Sequence, residues 1–197
     1  MKTAALMILC YLIGSIPFSF IFSKLMGGVD IRKRGSHNVG ATNVLRTTGL
    51  KIALLALLGD LLKGMAACWL GSLSGNAAVA ALCAAVAVIG HCWPVFLSFK
   101  GGKGVATCAG IVLYISPTIF IILVAIFILT IILTKYVSLG SIIVASILPL
   151  LAFILNESGS VVLMCLFLAV LVIVRHHENI RKLINGTEAK FTEKATS

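Results

Sequence analysis

Uninterrupted apolar runs limit what this chain can become more than any other feature. Stretches such as Thr3 to Lys24, Ile52 to Gly71 and Ala77 to Leu97 each approach the roughly 20 nonpolar residues that an α-helix needs to cross the hydrocarbon core of a bilayer. A soluble domain cannot hide so many of them. Of 197 residues, 60% are hydrophobic and only 11% charged, against roughly 25% charged in soluble domains. Most of the 6 cysteines lie inside the apolar runs, which argues against a disulfide-stapled secreted scaffold. The expected fold is an all-α integral membrane protein, residues 1–197 forming a single membrane-embedded domain. The apolar stretch Ala4 to Ile13 after Lys2 resembles a signal peptide, but it continues through Phe22 without a small-residue cleavage site and reads as a first span.

Three more runs follow, Val105 to Lys135, Val137 to Leu155 and Val161 to Val174. The first of these is too long for one ordinary span. Ser116-Pro117 stands where a helix would end and restart, because proline lacks a donor and clashes with the preceding turn. Splitting there gives Val105 to Ile115 and Thr118 to Thr134, hence seven transmembrane helices. Charge favours the split, since Lys and Arg close to a span mark its cytoplasmic end. With the N-terminus outside and the C-terminus cytoplasmic, the inward loops and tail carry Lys24, Arg32, Lys33, Arg34, Arg46, Lys51, Lys100, Lys103, Lys135, Arg175, Arg181, Lys182, Lys190 and Lys194. Those are 14 of 16 basic residues, Lys2 and Lys63 being the exceptions. The net charge of +10 is thus inward-facing membrane-protein charge, and it implies anionic headgroups and metabolites as partners but no nucleic acid.

Polar chemistry collects in three inward stretches. Gly35 to Arg46 is dense in small, hydroxyl and amide residues whose N–H groups and short donors can close on an oxyanion, while Arg46 can grip phosphate in a fork. The plainer reading is a helix start, with Ser36 or Asn38 as its cap and Gly40 as a turn. In Gly90 to Gly104, three glycines bracket Lys103, and a helix starting near Val105 aims its positive end at the same spot. The P-loop spacing is absent, and the alternative is a flexible exit turn with snorkelling lysines and Trp93 and Phe99 as interfacial anchors. In Arg175 to Glu188, His176 and Asn179 sit three apart and can share one helix face, or the segment is a basic collar on headgroups. No spacing suggests metal ligation. Within the membrane, Asp60 and Lys63 are one turn apart, and isolated charges there are so costly that the two are expected to pair with each other or to face the bundle interior, as a structural pair or as a substrate contact.

The three clusters in this order resemble the bacterial acyl-phosphate:glycerol-3-phosphate acyltransferases, the PlsY family. The likeness rests on Gly35 to Arg46, on Phe99-Lys100-Gly101-Gly102-Lys103-Gly104-Val105-Ala106-Thr107, on Arg175-His176 with Glu178-Asn179-Ile180, on Gly186 and Glu188, and on Tyr136-Val137-Ser138-Leu139 with Ser141. His37 departs from the pattern, where glycine is more usual. The resemblance implies a seven-helix enzyme of the bacterial inner membrane with its active site facing the cytoplasm. It would move a fatty acyl group from acyl phosphate to the 1-hydroxyl of glycerol 3-phosphate, giving 1-acyl-glycerol 3-phosphate (lysophosphatidate) and phosphate, without a cofactor. The enzyme that makes acyl phosphate is the expected protein partner.

By the same resemblance Lys103, Arg46 and His176 are the catalytic candidates, and Ser36, Asn38, Thr42, Asn43, Lys100, Gly101, Gly102, Ser141 and Asn179 bind or shape the site. The alternative from another class is a transporter of phosphate or an organic anion; a lipid-binding scaffold is a third. The His-x-x-x-x-Asp pattern of other acyltransferases is absent. Among the carboxylates Asp30, Asp60, Glu157, Glu178, Glu188 and Glu193, none reads as a placed base, with Asp30, Glu188 and Glu193 expected outside the polar clusters. That leaves His176, whose imidazole titrates near neutrality, or a phosphate oxygen of the donor itself, to take the hydroxyl proton.

Overall fold

The structure, a computed structural model, describes residues 2–191; Glu193 and Lys194 lie outside the described residues. Among the described residues ten α-helices follow one another: α1 (Lys2–Ser15), α2 (Phe18–Gly27), α3 (Ala41–Thr48), α4 (Leu50–Ser72), α5 (Ala77–Cys92), α6 (Val105–Ile115), α7 (Pro117–Thr134), α8 (Val137–Ile154), α9 (Gly159–Arg175) and α10 (His177–Ile184). Five stretches among the described residues are long and apolar enough to cross a bilayer: Thr3–Gly27, Leu50–Ser72, Ala77–Leu97, Pro117–Thr134 and Val137–Ile154. A sixth is the pair α9 and α10, bent by 58°. Helix α6, with 11 residues, falls short of a span by length alone. The chain is an all-helical integral membrane protein with five to six such candidates.

The break at Ser116-Pro117 follows the sequence reading. The Ser116 N–H still bonds to the Val112 carbonyl at 2.8 Å, and Pro117 opens α7 at a position where an N–H would have no helical partner anyway. A second proline break was not anticipated. The run Thr3 to Lys24, read as one helix, divides at Pro17 into α1 and α2. At the break the Ile16 carbonyl accepts from the Phe18 N–H at 3.2 Å and from the Lys63 ammonium at 2.9 Å.

Small residues let the helices approach closely. A β-carbon on Gly64 would meet the Thr107 carbonyl and one on Gly110 the Leu61 carbonyl, so α4 and α6 touch backbone to backbone. Gly14 is equally tight against Ala87, which draws α1 onto α5. The main core joins α5, α6, α8 and α9 through side chains such as Val88, Ile111, Leu148 and Leu168. Helix α7 stands at the rim and buries only Ile119, Leu123 and Thr130. Side chains such as Leu133 and Phe153, at 72% and 70% exposure, form the surface that lipid covers.

Candidate functional site

The first loop is folded around one side chain. The Asn43 amide nitrogen donates to the carbonyls of Ile31 (2.9 Å), Arg34 (3.1 Å) and Asn38 (3.1 Å), while its oxygen accepts from the Ser36 N–H at 3.0 Å. Asn43 is therefore spent on holding the loop shut. Gly40 is the residue that precedes α3, and neither Ser36 nor Asn38 caps it with a side chain. Their polar groups face a cavity instead, together with Thr42 and Arg46. Arg46 donates from Nη2 to the carbonyls of Ala189 (2.9 Å) and Lys190 (3.2 Å), and its buried Nε has no hydrogen-bond partner.

The second loop turns through left-handed backbone at Ser98 (φ 51°), Phe99 (φ 63°) and Gly104 (φ 88°), the residue preceding α6. Its return is clipped at both sides. The Gly102 N–H donates to the His91 carbonyl at 3.1 Å, and the Arg175 guanidinium donates to the carbonyls of Gly101 and Gly102 at 2.9 to 3.3 Å. Arg175 also lies over the Trp93 ring, 5.2 Å from its centre. Trp93, expected as an interfacial anchor, is thus part of the clamp. Lys103 reaches past the turn to the Asn179 side-chain oxygen. Burial lowers the pKa of its ammonium, with Glu188 and Glu178 opposing the shift.

His176 occupies the joint between α9 and α10 at 3% exposure. Its Nδ1 lies 2.7 Å from the Val172 carbonyl. A carbonyl can only accept, so Nδ1 carries the proton and Nε2 presents a lone pair. Burial pushes the imidazole down to about 4, and the charges of Lys103 and Arg175 act in the same direction. It is neutral at physiological pH.

Glu188 corrects the sequence reading, which placed it outside the polar clusters. Left-handed Gly186 (φ 69°) turns the chain back after α10, and the Phe191 N–H docks on the Lys135 carbonyl at 2.9 Å. One Glu188 oxygen then accepts from both Ser138 and Asn179 at 2.7 Å. Ser141, in the same first turns of α8, is buried and donates to Val137.

These groups share a cavity of about 490 Å³. Ser36, Asn38, Thr42, Asn43, Arg46, Asp60, His91, Lys103, Ser138, Ser141, His176, Asn179 and Glu188 supply its polar lining. Phe120, Leu123 and Phe127 of α7, with Val144 and Leu148 of α8 and Leu168 of α9, supply an apolar wall. Lys100, Gly101 and Gly102 do not line it: Lys100 is exposed, and the two glycines face a separate small hollow beside Asp60, Lys63 and His91. Asp60 and Lys63 form the expected pair, 2.7 Å apart and almost fully buried. Among the described residues no group of three or more His, Cys, Asp or Glu side chains could hold a metal ion.

Cations, hydroxyls and an amide at the edge of an apolar trough inside a helical bundle suit a molecule with a phosphate at one end and a lipid chain at the other. The fold and the cavity therefore define a membrane protein built to handle phosphate beside lipid. The profile of the Glycerol-3-phosphate acyltransferase family matches residues 4–186, and the chain belongs to that family. A glycerol-3-phosphate acyltransferase of Syntrophomonas wolfei is 54% identical, covering 99% of this chain and 100% of its own length. The Bacillus subtilis glycerol-3-phosphate acyltransferase is 43% identical over 96% of this chain and 98% of its own. Two crystal structures of PlsY (YgiH), an integral membrane glycerol 3-phosphate acyltransferase, superimpose closely. The glycerol 3-phosphate form has a TM-score of 0.92 and 38% identity, covering 96% of both chains. The lysophosphatidic acid form has 0.91 and 37%, covering 96% of this chain and 95% of the other. The chain is accordingly a membrane acyltransferase that acylates glycerol 3-phosphate in phospholipid synthesis, and the transporter reading falls away.

Proposed function

We propose that the acyl donor is acyl phosphate and that the 1-hydroxyl of glycerol 3-phosphate is the acceptor. The carrying observation is the single cavity in which Arg46, Lys103, Asn179 and His176 stand at the polar end of a trough walled by α7 and α8. Both substrates bear phosphate, and Lys103, Arg46 with its unpartnered Nε, Ser36, Asn38, Thr42 and Ser141 supply the cations and hydrogen-bonding groups to receive it. Asn43 acts by holding the loop, Asn179 by aiming Lys103, and Lys100, Gly101 and Gly102 by shaping the turn from outside the cavity. The donor's acyl chain lies along the apolar wall.

The acceptor oxygen attacks the acyl carbon, the bond from that carbon to the phosphate oxygen breaks, and phosphate departs with the electron pair. The hydroxyl proton needs a destination. His176 Nε2 accepts its hydrogen bond and orients the oxygen, but an imidazole held near 4 retains a proton poorly. A phosphate, whose second pKa is about 6, holds it better. The proton therefore ends on the leaving phosphate, while Lys103 and Arg46 stabilise the charge that gathers there.

Incubation of the purified protein with acyl phosphate and glycerol 3-phosphate, without coenzyme A or acyl carrier protein, tests the donor. Lysophosphatidate and free phosphate should appear in equal amounts. Turnover that requires an acyl thioester overturns the reading.

The same proposal places the enzyme in a bacterial inner membrane with seven crossings. It counts α1 with α2 as one crossing and α6 as another, with the N-terminus outside and the cavity's polar end facing the cytoplasm. The support is the collection of basic residues on one face. Single cysteines introduced at positions 101 and 157 on a cysteine-free background should label from the cytoplasmic and outer sides respectively, and the reverse pattern refutes the orientation.

A further inference from the structure

At the edge of the cavity, which Asp60 and His91 also line, lies a polar assembly to which the proposed reaction assigns no step. Asp60 and Lys63 of α4 meet His91 of α5, Ser19 of α2 and Thr107 of α6, with 1%, 4% and 7% exposure for Asp60, Lys63 and His91. Ser19 donates to one Asp60 oxygen at 3.1 Å. Lys63 lies 2.7 Å from the other and donates to the Ile16 carbonyl at 2.9 Å. His91 Nδ1 lies 3.5 Å from Asp60 and 3.1 Å from the Thr107 hydroxyl. One edge of the imidazole thus hydrogen-bonds Thr107 and packs against the carboxylate of a buried ion pair.

The opposite edge faces Gly102. A β-carbon there would collide with His91 Nε2, and one on Gly101 would collide with the His91 carbonyl and Pro94. The imidazole, 7% exposed, packs on the turn, while His91 also borders the cavity. The next residue is Lys103. From the other side, Arg175 grips the carbonyls of Gly101 and Gly102. A guanidinium that pulls on two carbonyls fixes a turn only if something rigid stands behind it, and the ring, hydrogen-bonded to Thr107 and backed by Asp60, is that wall.

We infer that His91, anchored by the Asp60–Lys63 ion pair, is a positioning residue that holds the Gly101-Gly102 turn and so fixes where the Lys103 ammonium meets phosphate. The inference rests on the reading of Lys103 as a phosphate ligand. It explains why a costly ion pair is kept in an apolar bundle: a hydrophobic replacement could pack as well, but would not fix the angle of the imidazole.

The test uses full-length protein in lipid nanodiscs, comparing wild type with His91→Ala and with Asp60→Asn/Lys63→Met, which removes the anchor without stranding a charge. Backbone hydrogen exchange over residues 98–104 and steady-state kinetics with acyl phosphate and glycerol 3-phosphate are measured together. Exchange in that segment should quicken by roughly tenfold while the helices stay protected, and kcat/KM should fall by roughly tenfold to a hundredfold. In a Lys103→Arg background the same changes should cost far less, because the cation is already displaced. Should His91→Ala fail to fold, the double variant carries the same readouts. Unchanged exchange over 98–104 overturns the brace whatever the activity. A loosened turn with wild-type kcat/KM, or losses that simply multiply with that of Lys103→Arg, overturns the positioning role. If Lys103→Arg is itself silent, the fault lies in the reading of Lys103 and not in the brace.

Discussion

Two lysines in this molecule, Lys63 buried and Lys103 half-buried, carry the same charge and are handled in opposite ways. Lys63 sits 2.7 Å from a carboxylate that balances it, and it also donates to the Ile16 backbone carbonyl at the Pro17 break. Lys103 reaches only the amide oxygen of Asn179, and the Glu188 carboxylate on the other side of that amide is itself occupied by Ser138 and Asn179. Arg46 resembles Lys103 in binding neutral carbonyls alone among its hydrogen-bond acceptors. A formal partner makes a charge structural. A dipolar partner holds a charge in place yet leaves its field available to an incoming anion.

Breaking the closed pair should have the largest effect. Asp60→Asn strands the Lys63 ammonium in the bundle and should cost about 3–5 kcal/mol of stability, read as a lowered unfolding midpoint in detergent. The double change with Lys63→Met should cost much less, and equal losses for the single and double variants would show that the pair is not the unit. Breaking the open cation comes next. Lys103→Ala should remain folded while losing about 3 kcal/mol of transition-state stabilisation, on the order of a hundredfold in rate. Near-normal turnover in the folded variant would remove Lys103 from the chemistry.

A smaller effect sharpens the role assigned to the neutral histidine. The His176 imidazole gains charge only as pH falls toward about 4, so turnover should show no step between pH 6 and 8 that disappears on substitution. His176→Gln should keep substantial activity, whereas a loss of several orders of magnitude at saturating substrate would make His176 the base. The smallest effect belongs to a surface pair. Arg32 lies 2.8 Å from Asp30 and holds its carboxyl down at about 2. The depressed pKa means that the pair contributes above the ordinary carboxylate range, and that its contribution fades as pH falls through about 2. With Arg32 40% exposed, screening limits the gain, and Asp30→Asn should change stability by less than about 1 kcal/mol at neutral pH.

The parts of this fold that the sequence made legible are those in which a residue acts on its own chain neighbours. Ser116-Pro117 ends one helix and opens the next through proline's missing donor, and Asp60 and Lys63 find each other because they are one turn apart. Pro17 carried the same signal as Pro117, but the continuous apolar composition around it hid a break that matters only because Lys63 answers it. Glu188 was missed for a different reason: its place depends on a reversal at Gly186 and on the start of α8, 50 residues away. The Arg175 clamp is likewise a product of close approach between distant segments. The three polar clusters could be read as belonging together, but not which members would line the cavity and which would hold the others in place.

Helix α6 has a consequence that reaches beyond its own packing. Its 11 residues extend about 16 Å, roughly half of the ~30 Å of oil in a bilayer, so an ammonium at its lower end need not lie level with the headgroups. Lifting an acyl chain to an aqueous site would cost about 0.8 kcal/mol per methylene, or on the order of 10 kcal/mol for a dozen of them. Sinking a small phosphate by a few ångströms into a shaft lined with Lys103 and Arg46 exchanges hydration for protein charge instead. In the proposed reaction the two partners consequently search in different dimensions: the lipid arrives by drifting sideways in a plane, and the metabolite arrives by descending to meet it.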